Sequence, residues 1–277
     1  MSAKIFTVSE LLKNLKNVHF SELKKQKSGY VSWVNVKDGG RNKRIYVKTP
    51  KMFAPFGATN FNSGEQVNNK KFSVALSFKG EDDNEEIANL KTLLKNLDDL
   101  VVEKTYSTKD WRSQISKKKV SKDVVETMYT RVLREKDDED DEKKYPALVN
   151  LKAQINWKDG EPTVGTKVYG SNKTELDINF DNYSEVIPKL TDLKCVFQVA
   201  SVWFINKKFG LTLKLVQAKV FPNEMGSLPE FALDDEDEEV ATVTKKVEQM
   251  TTKPVKKEVE EEESDDEEEE EEESDEE

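Results

Sequence analysis

Residues 195–221 read CVFQVASVWFINKKFGLTLKLVQAKVF, and this stretch decides the fold. Apolar residues dominate 195–205 and 211–221, with polar residues returning at short intervals, the composition of partly buried strands. Between them lie Asn206, Lys207, Lys208, Phe209 and Gly210. A short polar loop closed by glycine suits the positive φ of a tight hairpin, so the two runs are expected to pair antiparallel. The run 195–205 is broken by Gln198 and Ser201 and falls far short of the roughly 18 apolar residues of a spanning helix.

Upstream of this hairpin, strands are expected at 148–157, 166–169 and 176–180, punctuated by Gly160, Gly165 and Gly170. In 72–78, Phe72, Val74, Leu76 and Phe78 alternate with Ser73, Ala75 and Ser77, a period of two. Residues 30–36 and 44–49 flank the turn residues Asp38, Gly39 and Gly40 and read as a second hairpin. Helices are fewer. Ser9 before Glu10, Leu11, Leu12 and Leu15 predicts a short capped helix. Ile87, Leu90, Leu93, Leu94, Leu97 and Val101 repeat at helical spacing behind Glu81, Asp82 and Asp83, acids that favour a helix N-terminus. Residues 124–133 fit a helix or a strand equally, and 135–144 is a charged loop. The sum is mainly β, five to eight strands with one or two inserted helices near 81–134. A closed or partly open antiparallel barrel buries them most simply.

Charge divides the 277-residue chain in two. Residues 230–277 hold 25 acidic and 5 basic residues, a net of −20, whereas 1–229 hold 39 basic and 30 acidic, a net of +9. All 24 aromatic residues lie at or before Phe231. The domain expected over 1–229 therefore has a core to bury, while 230–277 is expected to stay disordered, with too little apolar surface to offset the entropy of ordering.

Several chemistries lack their residues. Cys195 is the one cysteine and His19 the one histidine, which excludes an intrachain disulfide and zinc sites built on several of either. No phosphate loop, dinucleotide fingerprint or nucleophile elbow occurs, and carboxylate pairs such as Asp82/Asp83 and Asp98/Asp99 read as solvated surface. No enzyme, cofactor or metal site is expected. Without a leader-type opening, the expectation is an intracellular, reducing location.

What remains is a pattern of cations among rings. Lys43, Arg44, Tyr46, Lys48, Lys51 and Phe53 follow one another with no acid between Asp38 and Glu65; Lys70 and Lys71 come next, then Lys117, Lys118 and Lys119. Lys207, Lys208 and Phe209 mark the 195–221 hairpin tip, and Trp33 and Trp203 add rings. Single-stranded nucleic acid presents phosphates and open base faces together, and its binders need cations beside aromatic platforms. Arg44, Tyr46, Lys48 and Lys51 are expected to carry backbone contacts, with Trp33, Phe53, Trp203 and Phe209 as candidate stackers. The acidic segment suits the same reading. Its 48 residues reach roughly 35–40 Å as a flexible chain, and a core of 229 residues has a radius of gyration of roughly 17 Å. It can thus compete for a basic groove at an effective concentration on the order of millimolar.

The runs KTPKMFAPFG at 48–57 and SVWFINKKFGLTLKLVQ at 201–217 resemble the single-stranded DNA-binding proteins of nucleocytoplasmic large DNA viruses, relatives of the podovirus proteins of the same kind. The likeness extends over most of 28–222 and includes an acidic C-terminal segment. It implies an OB-fold without enzymatic activity that coats unwound DNA in viral replication, recombination and repair. It also implies contacts of the acidic segment with the viral DNA polymerase and helicase, possible homo-oligomers, no membrane, and a place at the virus replication site, in a cytoplasmic factory or the nucleus. Phage members end in an aromatic residue, whereas this chain ends Ser274-Asp275-Glu276-Glu277. The alternative class is an acidic chaperone for histones or other basic proteins, with a β-rich core and the polyglutamate segment as its binding site. A net +9 on residues 1–229 opposes that alternative, since a binder of basic proteins gains nothing from it.

Overall fold

The computed structural model describes residues 3–60, 71–135 and 145–221, all within one unit spanning Met1–Glu224. The expected acidic segment and Lys70 lie outside the described residues. Strand β1 (Ala3–Phe6) is followed by helix α1 (Val8–Asn14). Its cap is Thr7 and not Ser9: Thr7 Oγ1 accepts from the Glu10 N–H at 3.2 Å, and the Glu10 carboxylate accepts from the Thr7 N–H at 2.8 Å. A Thr-x-x-Glu spacing allows this reciprocal pair and outcompetes the serine two residues on. A 3-10 turn (Leu15–Asn17) leads to β2 (Val18–Phe20), which carries His19, and to β3 (Lys24–Gln26). Strands β4 (Gly29–Asp38) and β5 (Arg41–Ala54) form the expected hairpin, with Gly39 and Gly40 at φ 58° and 75°. After β6 (Ala58–Thr59) and β7 (Ser73–Ser77) come the helices: α2 (Glu85–Ser107), capped by Asn84, then α3 (Lys109–Ile115) and α4 (Lys122–Met128).

The ambiguous stretch 124–133 is both things in turn. Helix α4 stops at Met128, and β8 (Tyr129–Thr130) and β9 (Leu133–Arg134) follow. The stretch expected as one strand at 148–157 is two, β10 (Leu148–Ala153) and β11 (Ile155–Lys158). Between them the Gln154 N–H donates to Thr166 Oγ1 at 2.9 Å, and the chain leaves the main sheet to pair with β12 (Glu161–Val164). Strands β13 (Lys167–Tyr169) and β14 (Glu175–Leu176) come next, and 177–180 is not strand as expected. There Asn179 and Asn182 side chains accept from the N–H groups of 181, 182 and 179, a local alternative to a ladder. A short α5 (Tyr183–Val186) precedes β15 (Thr191–Ile205) and β16 (Lys208–Phe221), the hairpin predicted from 195–221.

The hairpin turn is tighter than the sequence implied. Asn206 and Lys207, at φ 50° and 64°, form a two-residue turn whose twist matches that of the flanking strands. Gly210 therefore lies within β16 and serves another purpose. A Cβ there would sit 2.8 Å from Cζ2 of Trp203 and 3.0 Å from the Thr130 carbonyl oxygen.

Strand β5 pairs with β15, β15 with β16, β16 with β10, and β10 with β7, which returns to β5 where Phe53 faces Ser77. Side chains turned to one side of this circuit, among them Ile45, Val47, Leu76, Leu151, Leu193, Phe197, Val199 and Leu215, are buried, each worth roughly 1.5–3 kcal/mol by the water it sheds. Helix α2 adds Leu90, Leu93, Leu94, Leu97 and Val101 to the same core. The class is mainly β with inserted helices.

Candidate nucleic-acid interface

Alternation along a strand sends every second side chain to the opposite face, and residues opposed across a ladder share a face. Burying Leu193, Cys195, Phe197 and Val199 thus fixes Asp192, Lys194, Val196 and Gln198 on the other side. The ladder register lines these residues up into rows. Lys51 of β5 faces Lys194 of β15, which faces Lys219 of β16, which faces Tyr169 of β13. Lys48 faces Val196, then Gln217, then Lys167. Tyr46 faces Gln198, then Lys214, then Lys152 of β10. Toward the hairpin turn, Trp33 faces Ser201 and Ser201 faces Thr212; next to that row, Val31 faces Trp203 and Trp203 faces Gly210.

Three lysines in direct cross-strand opposition destabilise a sheet. The described acid beside this row is Asp192, whose Oδ2 lies 2.9 Å from Lys51 Nζ. Rings stand among the cations: Lys51 and Lys219 lie over Phe221 at 5.2 and 5.0 Å, Lys79 over Phe53 at 5.7 Å, and Lys24 over Trp33 at 5.3 Å. Trp33 is 40% exposed, while Tyr46, Phe53 and Trp203 are half-buried. The arrangement sets a line of ammonium groups beside partly exposed rings, the two kinds of group that phosphates and bases require.

Arg44, Tyr46, Lys48, Lys51 and Phe53 alternate out of β5 onto this surface, and Trp33 and Trp203 join them from β4 and β15. Other expected residues are placed elsewhere. Phe209 is completely buried, stacked on Phe204 at 5.4 Å and tilted on Tyr129 at 5.0 Å, and cannot meet a base. The two-residue turn draws it into β16, where it points into the core. Lys43 is on the other parity of β5, bound to Asp38 at 2.9 Å; with Lys4 it holds the Asp38 carboxyl below the usual range. Lys117, Lys118 and Lys119 are exposed in the loop between α3 and α4, outside the strand rows. Lys207 and Lys208 are exposed at the hairpin turn.

Lys194, Lys214, Lys219 and Lys152 were not among the expected contacts. Their trace in the sequence is a lysine inside an otherwise β-patterned run, and only the ladder register shows that they adjoin. Lys71, expected as part of a separate pair, lines a cleft of about 930 Å³ with Arg134, Lys152 and Lys214. Lys152 is exposed as a whole, yet its ammonium is desolvated by its surroundings; this, followed by the charges of Lys71 and Arg134, holds its pKa below the ordinary lysine value.

Other chemistry finds little here. The Cys195 thiol is pushed up to about 12 by burial alone and stays protonated. Among the described residues no group of three or more His, Cys, Asp or Glu is gathered to hold a metal ion, and no helix is long and apolar enough to cross a membrane.

No protein-family model and no curated protein matches the sequence. Among solved structures, the chain is similar to the single-stranded DNA-binding protein from bacteriophage Enc34 in complex with ssDNA, at 13% identity and a TM-score of 0.39, over 76% of this chain and 98% of that one. The same phage protein without DNA gives 15% identity and a TM-score of 0.38, over 76% and 96%. Its C-terminal truncation gives 13% and 0.36, over 72% and 91%.

Proposed function

We propose that this chain is a non-enzymatic, sequence-tolerant single-stranded DNA-binding protein, built on an OB-fold-like barrel whose outer face on β5, β15 and β16 carries the strand. The observation that carries the reading is the register of Lys51, Lys194 and Lys219, three like charges in opposition beside the ring of Phe221. A fold tolerates such a row where a polyanion relieves it, and the neighbouring rings favour a ligand whose bases are unpaired. Stacking and phosphate contacts are open to every base alike, so the ligand is bound whatever its sequence.

In the cell it coats DNA unwound during viral replication, recombination and repair, at the virus replication site. The acidic 230–277 segment, at −20, competes with DNA for the +9 remainder of the chain and, once displaced, recruits the polymerase and helicase. Self-association along the coated strand fits the same role. The test is an anisotropy titration of fluorescent oligo-dT with the full chain and with residues 1–229, from low to moderate salt. Expected are salt-steep binding by both and tighter binding at low salt by the shorter chain. Absence of binding by either overturns the DNA reading, and equal affinities overturn the competing segment.

A further inference from the structure

Beside the lysine face, β11 and β12 form a small two-stranded sheet of their own. Asp159 and Gly160, at φ 53° and 84°, make its tight turn, and Trp157 stands opposite Pro162 one position before the turn-flanking pair. Trp157 is 74% exposed, more than any other large hydrophobic side chain among the described residues. An indole left in water on a short hairpin adds nothing to the core and forfeits its hydrophobic stabilisation. It does line the 930 Å³ cleft that Lys71, Arg134, Lys152 and Lys214 also line, together with one acid, Glu161. That volume lies in the roughly 300–1,000 Å³ range of small-ligand sites.

The cleft is continuous with the lysine face. Lys214 and Lys152 belong to the row of Tyr46 and Gln198 and also to the cleft lining. With the Asn150 amide turned so that its oxygen, not its nitrogen, meets the guanidinium, it accepts from Arg134 Nη1 and Nη2 at 3.1 and 3.0 Å, and the amide nitrogen is left as a donor. Cations, a ring and an amide lining one cleft match the three parts of a nucleotide.

Resting on the DNA-binding reading, we infer that this cleft is a distinct nucleotide subsite, in which a strand leaving the β5–β15–β16 face seats one base against Trp157 and its phosphates against Lys152, Lys214 and Lys71. Trp157 is thus a binding residue on a hairpin separate from the main sheet. The desolvated, cation-flanked ammonium of Lys152 agrees with it, because an incoming phosphate restores the charge balance that burial and two neighbouring cations disturb.

The test uses the full chain and three probes: fluorescent oligo-dT, an abasic deoxyribose-phosphate oligomer of equal length, and dTMP. Trp157→Ala is expected to weaken oligo-dT binding about 5- to 10-fold and abasic binding less than about 2-fold, with Trp157→Phe restoring most of the loss. Thermal melting of both variants is expected to match the parent, since the side chain is exposed. Equal oligo-dT affinity in parent and Trp157→Ala overturns the subsite while leaving the DNA reading intact. Equal losses on both oligomers overturn the stacking role, and dTMP alone binding as tightly as the oligomer overturns a site filled by a continuous strand. No oligo-dT binding by the parent overturns the DNA reading itself.

Discussion

The lysines of the sheet face and those of the helical layer differ in the company they keep. On and around α2, Lys91 reaches Glu81 at 2.7 Å and Glu135 at 3.7 Å, Lys95 reaches Glu135 at 3.3 Å, Lys122 reaches Glu103 at 3.3 Å and Arg131 reaches Asp99 at 3.8 Å. Across the β5–β15–β16 face, among the described residues a single acid, Asp192, stands beside three lysines in register. Around α2 these four cations are neutralised by neighbouring acids; across the sheet like charges are stacked beside rings. Net charge reports neither arrangement. The contrast teaches that a basic patch is identified by what its cations lack, and by whether the backbone forces them together.

The most severe way to break this contrast is to empty the row. Replacing Lys51, Lys194 and Lys219 together by Ala should lower oligo-dT affinity about 100-fold at low salt and flatten the log–log salt slope by about 2, as removal of three single-strand phosphate contacts requires. Melting should stay level or rise, because the substitutions relieve opposed like charges. An unchanged salt slope, read by anisotropy between low and moderate salt, would erase the distinction between the two layers.

A middle-sized effect belongs to the helical layer alone. Asp98 of α2 is buried and accepts from the Tyr129 hydroxyl at 2.6 Å and from the Val132 N–H at 3.2 Å. Burial nevertheless outweighs those bonds and raises its pKa to about 6. The folded protein therefore holds this proton more tightly than the unfolded chain does. This contribution to stability is full below about pH 4, falls as pH rises through about 6, and stays lost above it. Urea unfolding of Asp98→Asn beside the parent should show a stability difference that changes by about 2 kcal/mol between pH 4.5 and 7. A difference independent of pH would remove Asp98 as the titrating group.

The smallest effect sharpens the contrast from the paired side. Lys91→Ala with Lys95→Ala should cost about 1 kcal/mol of stability or less, the usual worth of ion pairs near the surface, and leave oligo-dT affinity within about 2-fold of the parent. A loss comparable to that of the Lys51, Lys194 and Lys219 variant would mean that overall charge, and not the row, governs binding.

Much of this was legible in residues alone. The 195–221 run announced its hairpin because apolar residues cluster there around a polar interruption, and the period of α2 was unmistakable from Ile87 to Val101. Tyr46, Lys48 and Lys51 could be nominated because they follow one another in sequence. Phe209 was misplaced because turn length decides parity: with two residues in the turn instead of five, it enters β16 and faces inward. Lys194 and Lys219 were invisible as partners because 25 positions of sequence separate them, and only pairing brings them opposite each other.

By itself, the sequence determined the β-rich class, the helices inserted among the strands and the segregation of charge, because each depends on local composition and on periods of two or 3.6 residues. The tertiary structure decided which lysines form a row, which aromatic rings remain on the surface, and that Trp157 overlooks a cationic cleft. These depend on ladder register and turn length, where a shift of one residue moves every side chain to the opposite face.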